Sequence, residues 1–371
     1  MKAVFTCGGT GGHINPALAV ARVLLERRPD SEILFVGAED GMEATLVPRE
    51  GFRLETLQIS SYMRSLKPSA IRHNVRAALS IRRALKKADR IIRDFQPDVI
   101  LGTGGYASYP MLHEGARLGI PTAVHESNAV PGLATKMVAD KVDRILVSFA
   151  DSRSAYRDPS RVIAVGMPVR EEFVFTRRAD ARRALGLDEK TPMIVSAWGS
   201  LGAREMNKKI ECEQDCWRHI HATGSFGWRW MPDYVKEQGV ELEKHPLITM
   251  QEYIYNMPEL MAAADVVISR AGASTLNEIA AAGTPCIIVP SPNVTNDHQE
   301  KNARILEQHG AAVVLHENHC DGELLFRTTQ ELLADAPRRA SMRKALQELA
   351  VVDSASRICD IILNLAKTHK S

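Results

Sequence analysis

The chain has 371 residues, which at roughly 100–200 residues per domain is too long for one core, so two domains are expected. Apolar residues make up 45% and charged residues 25%, which excludes a disordered chain, a collagen and a disulfide-stapled miniprotein. Lys plus Arg number 47 against 45 for Asp plus Glu; the net charge of +2 implies no bulk attraction to nucleic acid, so any basic partner surface is local. The six cysteines (Cys7, Cys212, Cys216, Cys286, Cys320, Cys359) form no paired framework and read as free thiols in a reducing compartment. The N-terminal apolar run is broken by glycine too soon for a signal peptide, and no window approaches the ~20 apolar residues of a membrane span. A cytosolic protein able to touch a membrane surface fits these limits.

In chain order, Lys2–Thr6 is an apolar strand running into Gly8–Gly12, with a helix expected over Pro16–Leu25. Glu32–Val36 is a second strand. The helical stretch Val75–Phe95 precedes a third, Asp98–Leu101, which ends in Gly102-Thr103-Gly104-Gly105. Thr122–His125 and Arg144–Val147 follow. After Gly166-Met167-Pro168-Val169-Arg170 the pattern restarts: Met193–Ala197 enters Gly199-Ser200-Leu201-Gly202, and Asp265–Ser269 enters Arg270-Ala271-Gly272 with a helix over Ser274–Ala282. Cys286–Pro290 and Ala311–Leu315 are strands, and Pro337–Ala366 is largely helical. Strands alternating with helices predict parallel βαβ units, here in two successive α/β halves that meet near residues 164–175. Asn207–His221 fits neither an amphipathic helix nor a strand.

Gly8-Gly9-Thr10-Gly11-Gly12-His13 lies between a strand and a helix, where glycines permit a sharp turn and helix N–H groups attract an anion. It is no P-loop, because His13-Ile14 stands where Gly-Lys-Ser/Thr is required, and Ile14 takes the place of the third glycine of a dinucleotide fingerprint. Gly102–Gly105 repeats the feature on a later strand, so both loops are expected at one crevice. In the second half, Ser274 or Thr275 is placed to cap a helix whose first turn holds Asn277 and Glu278, a carboxylate suited to a vicinal diol such as ribose. Asn296 to Asn302 is dense in side chains suited to sugar hydroxyls. His13, His125 and Glu126 are candidate proton-transfer groups. No Asp-x-Asp pair occurs to hold a divalent ion against a nucleotide sugar, and Cys212, Cys216, His219 and His221 match no zinc spacing closely. Ten basic residues (Arg64, Lys67, Arg72, Arg76, Arg82, Arg83, Lys86, Lys87, Arg90, Arg93) are opposed only by Asp89. With Val75, Leu79, Ile81, Leu85, Ala88 and Ile92 they read as either a solvated helix face or a surface for anionic lipid.

Together these residues resemble the MurG family, peripheral membrane N-acetylglucosaminyltransferases that complete the lipid-linked peptidoglycan precursor. The resemblance rests on Gly8–His13, Gly102–Tyr106, His125-Glu126-Ser127-Asn128 through Gly132-Leu133, Pro168-Val169-Arg170, Gly199–Ala203, Ala273–Glu278 and Gln299-x-x-Asn302-Ala303, in that order. It implies an α/β glycosyltransferase-B fold, two Rossmann-like domains facing a central cleft: 1–165 for acceptor and membrane docking, 166–345 for UDP-N-acetylglucosamine, and 346–371 a C-terminal helix packing back on the first. Carried over by position, Thr10, Gly11, Gly12, Asn128, Arg170, Ser200, Ile254, Ala273, Ser274, Thr275, Leu276, Asn277, Glu278 and Gln299 contact the donor. His13 is the favoured catalytic residue, with Glu126 and Tyr106 near it. The implied reaction is an inverting, metal-independent and cofactor-free transfer that converts lipid I to lipid II at the cytoplasmic face of the membrane. Anionic inner-leaflet lipids and other cell-wall enzymes are the further partners implied, and nucleic acid is not among them.

Three departures from the family pattern lie near the donor half. Trp198 replaces a glycine, Met167 replaces an asparagine, and Asn207–His221 is short and lacks an apolar stripe. They predict weakened or altered donor binding. The alternatives they leave open are a transferase of the same fold with another lipid or small-molecule acceptor, a sugar-nucleotide-binding subunit without activity, and a dinucleotide-dependent oxidoreductase.

Overall fold

Buried on both faces, a parallel strand reads as a short apolar run, and such runs form two sheets here. The structure, a computed structural model, describes residues 1–59, 68–199, 217–294 and 297–368, and of 68–79 the backbone alone. The chain divides into two units, Met1–Val169 with Val351–Ser371, and Arg170–Ala350.

The first unit holds β1 (Lys2–Thr6), β2 (Glu32–Ala38), β3 (Arg53–Leu57), β4 (Val99–Gly102), β5 (Thr122–Glu126), β6 (Arg144–Val147) and β7 (Val162–Ala164) in the order β3-β2-β1-β4-β5-β6-β7, all parallel. Alternate residues of β1 serve two cores. Ala3 and Phe5 pack with Ile14, Ala17 and Ala21 of the Gly11–Arg27 helix and with Ile358 and Ile362 of the Ser354–Thr368 helix. Val4 packs with Ala84, Ala88 and Ile92 of the Pro68–Phe95 helix and with Met111 and Leu112 of the Ser108–Arg117 helix. Each of the Val, Leu, Ile, Phe and Met side chains among them, fully buried, contributes roughly 1.5–3 kcal/mol.

The second unit holds β8 (Met193–Ala197), β9 (Arg218–Ala222), β10 (Ile248–Gln251), β11 (Val266–Ser269), β12 (Cys286–Ile288) and β13 (Val313–Val314) in the order β10-β9-β8-β11-β12-β13, again all parallel. Counted from its own first strand, each sheet contains the doubly wound order 3-2-1-4-5-6. The order reverses between β1 and β4 in one sheet and between β8 and β11 in the other, the places where such sheets bind ligands at strand carboxyl ends. The same clasp sits at both reversals. Asp98 accepts the Lys2 N–H at 2.9 Å and Asp265 the Met193 N–H at 2.9 Å, tying the two strands that flank each crevice.

Several boundaries differ from the sequence reading. The first helix starts at Gly11, with Thr10 at its N-cap, so Pro16 lies inside it and Gly11, Gly12 and His13 form its first turn. Burial of Ile14, Pro16, Ala17 and Leu18 against the sheet outweighs the poor helix propensity of the two glycines. The last helical stretch is two helices, Ala336–Leu349 and Ser354–Thr368. Four strands are absent from the sequence reading: edge strand β3, edge strand β10 and β9, whose residues are mixed polar and apolar, and β7, whose apolar run is only a few residues long.

Candidate active site

At the first switch point the glycine loops after β1 and β4 interlock. A Cβ on Gly105, which has φ +82°, would fall on the Gly8 carbonyl, and one on Gly8 would lie 2.6 Å from Ala107 Cβ. Glycine is required at both places for the backbones to approach. The Thr103 hydroxyl donates to the His13 carbonyl at 2.6 Å, joining the second loop to the first helical turn. His13 Nδ1 lies 3.1 Å from the Gly8 carbonyl oxygen. A carbonyl only accepts, so this bond places the proton on Nδ1 and leaves the Nε2 lone pair outward. Gly104, at φ +104°, keeps that side clear: its Cβ would stand 3.1 Å from His13 Nε2. Gly11 and Gly12 open the helix, where N–H groups have no intrahelical acceptor.

Tyr106 lies over this loop, its ring edge 3.5 Å from a Cβ built on Gly9. Burial, then the charges of Glu43 and Asp40, push its hydroxyl above the usual phenol value, so it stays protonated. Glu126, on β5, is buried, and its Oε1 accepts Asn128 N (3.0 Å) and Nδ2 (3.1 Å). Its Oε2 accepts Gly132 N (2.9 Å) and the Thr135 hydroxyl (2.6 Å). Four donors fill the four acceptor sites of a carboxylate, so Glu126 organises its own loop and with it Asn128. His125 is buried and donates from Nε2 to the Gly166 carbonyl at 2.8 Å; burial pushes its pKa down. That bond pins β5 to the turn after β7 and leaves His125 no outward-facing proton.

One group at this crevice carried no sequence signal. Glu43, fully buried at the start of the Glu43–Arg49 helix, accepts the Gly9 N–H at 3.1 Å and the Ala38 N–H at 2.7 Å.

At the second switch point, Gly272 caps the Ala273–Ala282 helix, which corrects the assignment of the cap to Ser274 or Thr275; both lie in its first turn. Gly272 has the extended backbone of an N-cap residue, and the Thr275 Oγ1 lies 3.8 Å from where its Cβ would be. Ala273 and Leu276 face the core, while Asn277 donates to the Ala273 carbonyl at 2.8 Å. Glu278, in the second turn rather than the first, is partly buried and has no hydrogen-bond donor among the described residues. Burial pushes its carboxyl from 4.5 to about 7, and only the charge of Arg170 opposes this. Arg170 is exposed, its guanidinium over the Phe173 ring at 5.1 Å. Gln299, in the first turn of the His298–Gln308 helix, accepts the Ser291 N–H at 2.9 Å, which orients its amide nitrogen outward as a donor pair. The Ile254 side chain is buried, so what it offers a ligand is its backbone. Ser200 lies outside the described residues.

Of the departures, Trp198 and Met167 lie among the described residues, whereas 207–216 lies outside them. Trp198 is buried with Ile194, Val266, Ile268 and Val289, and Arg270 lies over its ring at 5.9 Å. Its side chain fills the core. Met167 is buried as well. Of the four imagined zinc ligands, Cys212 and Cys216 lie outside the described residues, while His219 Nε2 (2.7 Å) and His221 Nδ1 (2.8 Å) both bond the Ser196 hydroxyl. No group of three potential ligands for a metal ion occurs among the described residues. In the basic segment, Ala84, Ala88, Ile91 and Ile92 face the core and Arg82, Arg83, Lys86, Lys87, Arg90 and Arg93 are exposed, while Asp89 pairs with Arg93 and Arg117. Arg64 and Lys67, and the side chains of Arg72 and Arg76, are outside the description. No helix among the described residues is long and apolar enough to cross a membrane. Cys7, Cys286 and Cys359 are free thiols, and they and Cys320 are buried.

Two doubly wound parallel sheets, each with glycine turns at its switch point, make up the glycosyltransferase-B fold. Residues 3–147 match the glycosyltransferase family 28 N-terminal domain and residues 193–358 the family's C-terminal domain. The chain belongs to glycosyltransferase family 28 and, within it, to the MurG family. It is 38% identical to a protein of Acetivibrio thermocellus, with 99% of each chain covered. It is 35% identical to one of Listeria monocytogenes, with 99% of this chain and 100% of that one covered. Both relatives are named UDP-N-acetylglucosamine--N-acetylmuramyl-(pentapeptide) pyrophosphoryl-undecaprenol N-acetylglucosamine transferase. Among solved structures, MurG of Acinetobacter baumannii superposes with a TM-score of 0.77 at 25% identity, over 98% of this chain and 99% of that one.

Proposed function

We infer that this chain transfers N-acetylglucosamine from UDP-N-acetylglucosamine to the 4-hydroxyl of the N-acetylmuramyl unit of lipid I, giving lipid II. The observation that carries the reading is Glu278: a carboxyl at a sheet switch point, largely desolvated and without a donor, is a receptor for hydroxyls. The ribose diol of the donor supplies two. Arg170, Gln299, Ser200 and the start of the Ala273–Ala282 helix bind the remaining polar groups of the donor, with Ile254 contributing backbone. At the other switch point the N–H groups of Thr10, Gly11 and Gly12 meet phosphate charge.

In the reaction the acceptor oxygen attacks the anomeric carbon as the bond to the UDP oxygen breaks with its electron pair. His13 Nε2 takes the hydroxyl proton. Tyr106, held protonated, donates a hydrogen bond, and Glu126 acts as a positioning residue through Asn128. Helix N-termini and Arg170 stabilise the leaving diphosphate without a divalent ion. The exposed basic face of the Pro68–Phe95 helix docks on anionic lipid at the cytoplasmic face of the membrane, where the lipid-linked acceptor lies.

All four tryptophans belong to the second half (Trp198, Trp217, Trp228, Trp230), so their fluorescence reports donor binding. UDP-N-acetylglucosamine titrated in EDTA quenches or enhances it saturably, and addition of a lipid-linked muramyl-pentapeptide analogue then releases UDP. His13→Ala retains the binding and loses the release about a thousandfold. Absence of donor binding sinks the reading, and release that requires a divalent ion removes its metal-free part.

A further inference from the structure

Glu43 is a buried carboxyl in a hole cleared by glycines. A Cβ on Gly8, Gly37 or Gly41 would in each case collide with the Glu43 side chain, and that on Gly8 would lie 2.9 Å from its Oε1. Its side chain pairs with no cation among the described residues. Burying a carboxylate without a counter-ion is expensive unless the hydrogen bonds it makes compensate. Its two bonds go to backbone, at Ala38 and Gly9.

The Gly9 N–H belongs to the same peptide group as the Gly8 carbonyl, the group that His13 Nδ1 contacts at 3.1 Å. The bond is trans, so its N–H and C=O point in opposite directions. Carboxylate, peptide and imidazole therefore stand in series: Glu43 Oε2 to Gly9 N at 3.1 Å on one side, Gly8 O to His13 Nδ1 at 3.1 Å on the other. An N–H given to an anion makes the carbonyl of its own amide a better acceptor, and hydrogen bonds in a chain strengthen one another by about 10–30%.

We propose that Glu43 is the positioning residue of the His13 base, acting through the Gly8–Gly9 peptide as a carboxylate acts directly on a catalytic or metal-bound histidine. The proposal rests on His13 being the base. Glu43 fixes the Nδ1–H tautomer, aims Nε2 at the acceptor hydroxyl and supports the positive charge that appears when Nε2 takes the proton. No proton passes along the relay. Nδ1 keeps its hydrogen throughout, and the proton from the acceptor rests on Nε2 while UDP departs. The other titratable groups of this crevice are Cys7, Asp40, Tyr106, His125 and Glu126, of which His125 senses His13 directly.

Glu43→Gln keeps shape and removes the charge. The expected result is a kcat lowered 10–100-fold, a donor KM within about twofold, and an acid limb of the kcat–pH profile moved down by roughly half a unit or more. In ¹⁵N-edited NMR the wild-type His13 ring is the Nδ1–H tautomer, and Glu43→Gln shows a mixture. A wild-type acid limb and tautomer in Glu43→Gln, whatever its kcat, overturn the relay. So does an Nε2–H tautomer of His13 in the wild-type protein, a measurement that stands if the variant does not fold. His13→Ala separates this from the parent reading: full activity there removes the base itself, whereas an inactive His13→Ala beside an unaltered Glu43→Gln removes only Glu43.

Discussion

Two glutamates, one in each unit, show opposite ways of keeping a carboxyl out of water. Glu126 has every acceptor site occupied by donors from the loop and the short helix that follow it. Glu278 sits partly buried with none among the described residues, and its carboxyl is pushed up to about 7. A filled carboxyl organises the chain around it; an unfilled one waits for donors from elsewhere. Sequence position alone makes the two look alike, since each lies near the carboxyl end of a strand, Glu126 as the last residue of β5 and Glu278 in the helix that follows β11. What separates them is the count of hydrogen bonds, and that count predicts that substitutions at the two sites do different things.

The largest difference is in donor binding. Glu278→Gln removes the charge that receives two ribose hydroxyls, and hydrogen bonds to a charged group are worth roughly 1.5–3 kcal/mol each. The donor KM should rise by at least about a hundredfold, with Glu126→Gln leaving it within about twofold. Steady-state kinetics at saturating acceptor measures both. Equal rises in the two variants would mean that the filled and unfilled states do not mark different jobs.

Stability should move in opposite directions. Glu126→Ala strands Asn128 N, Gly132 N and the Thr135 hydroxyl, of which the last is buried. The loss is about 3 kcal/mol, since part of the loop can turn to water. For Glu278 the folded carboxyl titrates above its unfolded value, so folding favours the protonated form. The penalty is absent below about pH 4.5, grows toward pH 7 and is complete above it. Ionising it in place costs on the order of 3 kcal/mol. Without donor, Glu278→Gln should therefore melt above wild type at pH 8, with the gap closing toward pH 5. Calorimetry of the two variants without ligand tests the pair. A Glu278→Gln that melts below wild type at pH 8 would show that the carboxylate is already satisfied.

The architecture was legible because parallel strands buried on both faces leave apolar runs: β1, β8 and β12 stand where the runs are. The strand β9 was hidden by its own polar pair. His219 and His221 are buried, each with one ring nitrogen on the Ser196 hydroxyl, so Arg218–Ala222 shows no apolar run though most of it is buried. Burial pushes these imidazoles down to about 4 and about 3. The glycine loops were legible as turns after strands, but the helix start was not, since packing of Ile14, Pro16, Ala17 and Leu18 carries helix back through Gly11 and Gly12. Glu43 was invisible because its partners lie elsewhere in the chain. Gly8 and Gly9 come from the loop after β1, and only the fold brings them to Glu43 at the start of its helix. The saturation of Glu126 was hidden for the same kind of reason, since its four donors are backbone and loop groups whose geometry no spacing rule encodes.

The smallest effect is the one that reads the unfilled carboxyl most directly. If ribose binds the ionised form of Glu278, apparent donor affinity follows the fraction ionised in the free protein. For a group at about 7 that fraction is roughly one tenth at pH 6 and nine tenths at pH 8, so affinity should rise about tenfold across this interval and level off above it. The sign follows from the raised value: protonation competes with the diol, and raising the pH removes the competitor. In Glu278→Gln the slope should vanish even though binding is weaker throughout. The proton uptake seen on acidifying the free protein should also disappear once donor is saturating, because two hydroxyl donors stabilise the carboxylate and draw its titration back toward 4.5. A flat affinity between pH 6 and 8 in the wild-type protein would mean that the carboxyl is ionised before the ligand arrives. Glu278 would then resemble Glu126 in being filled, and the contrast between the two would have to rest on the residues that surround them.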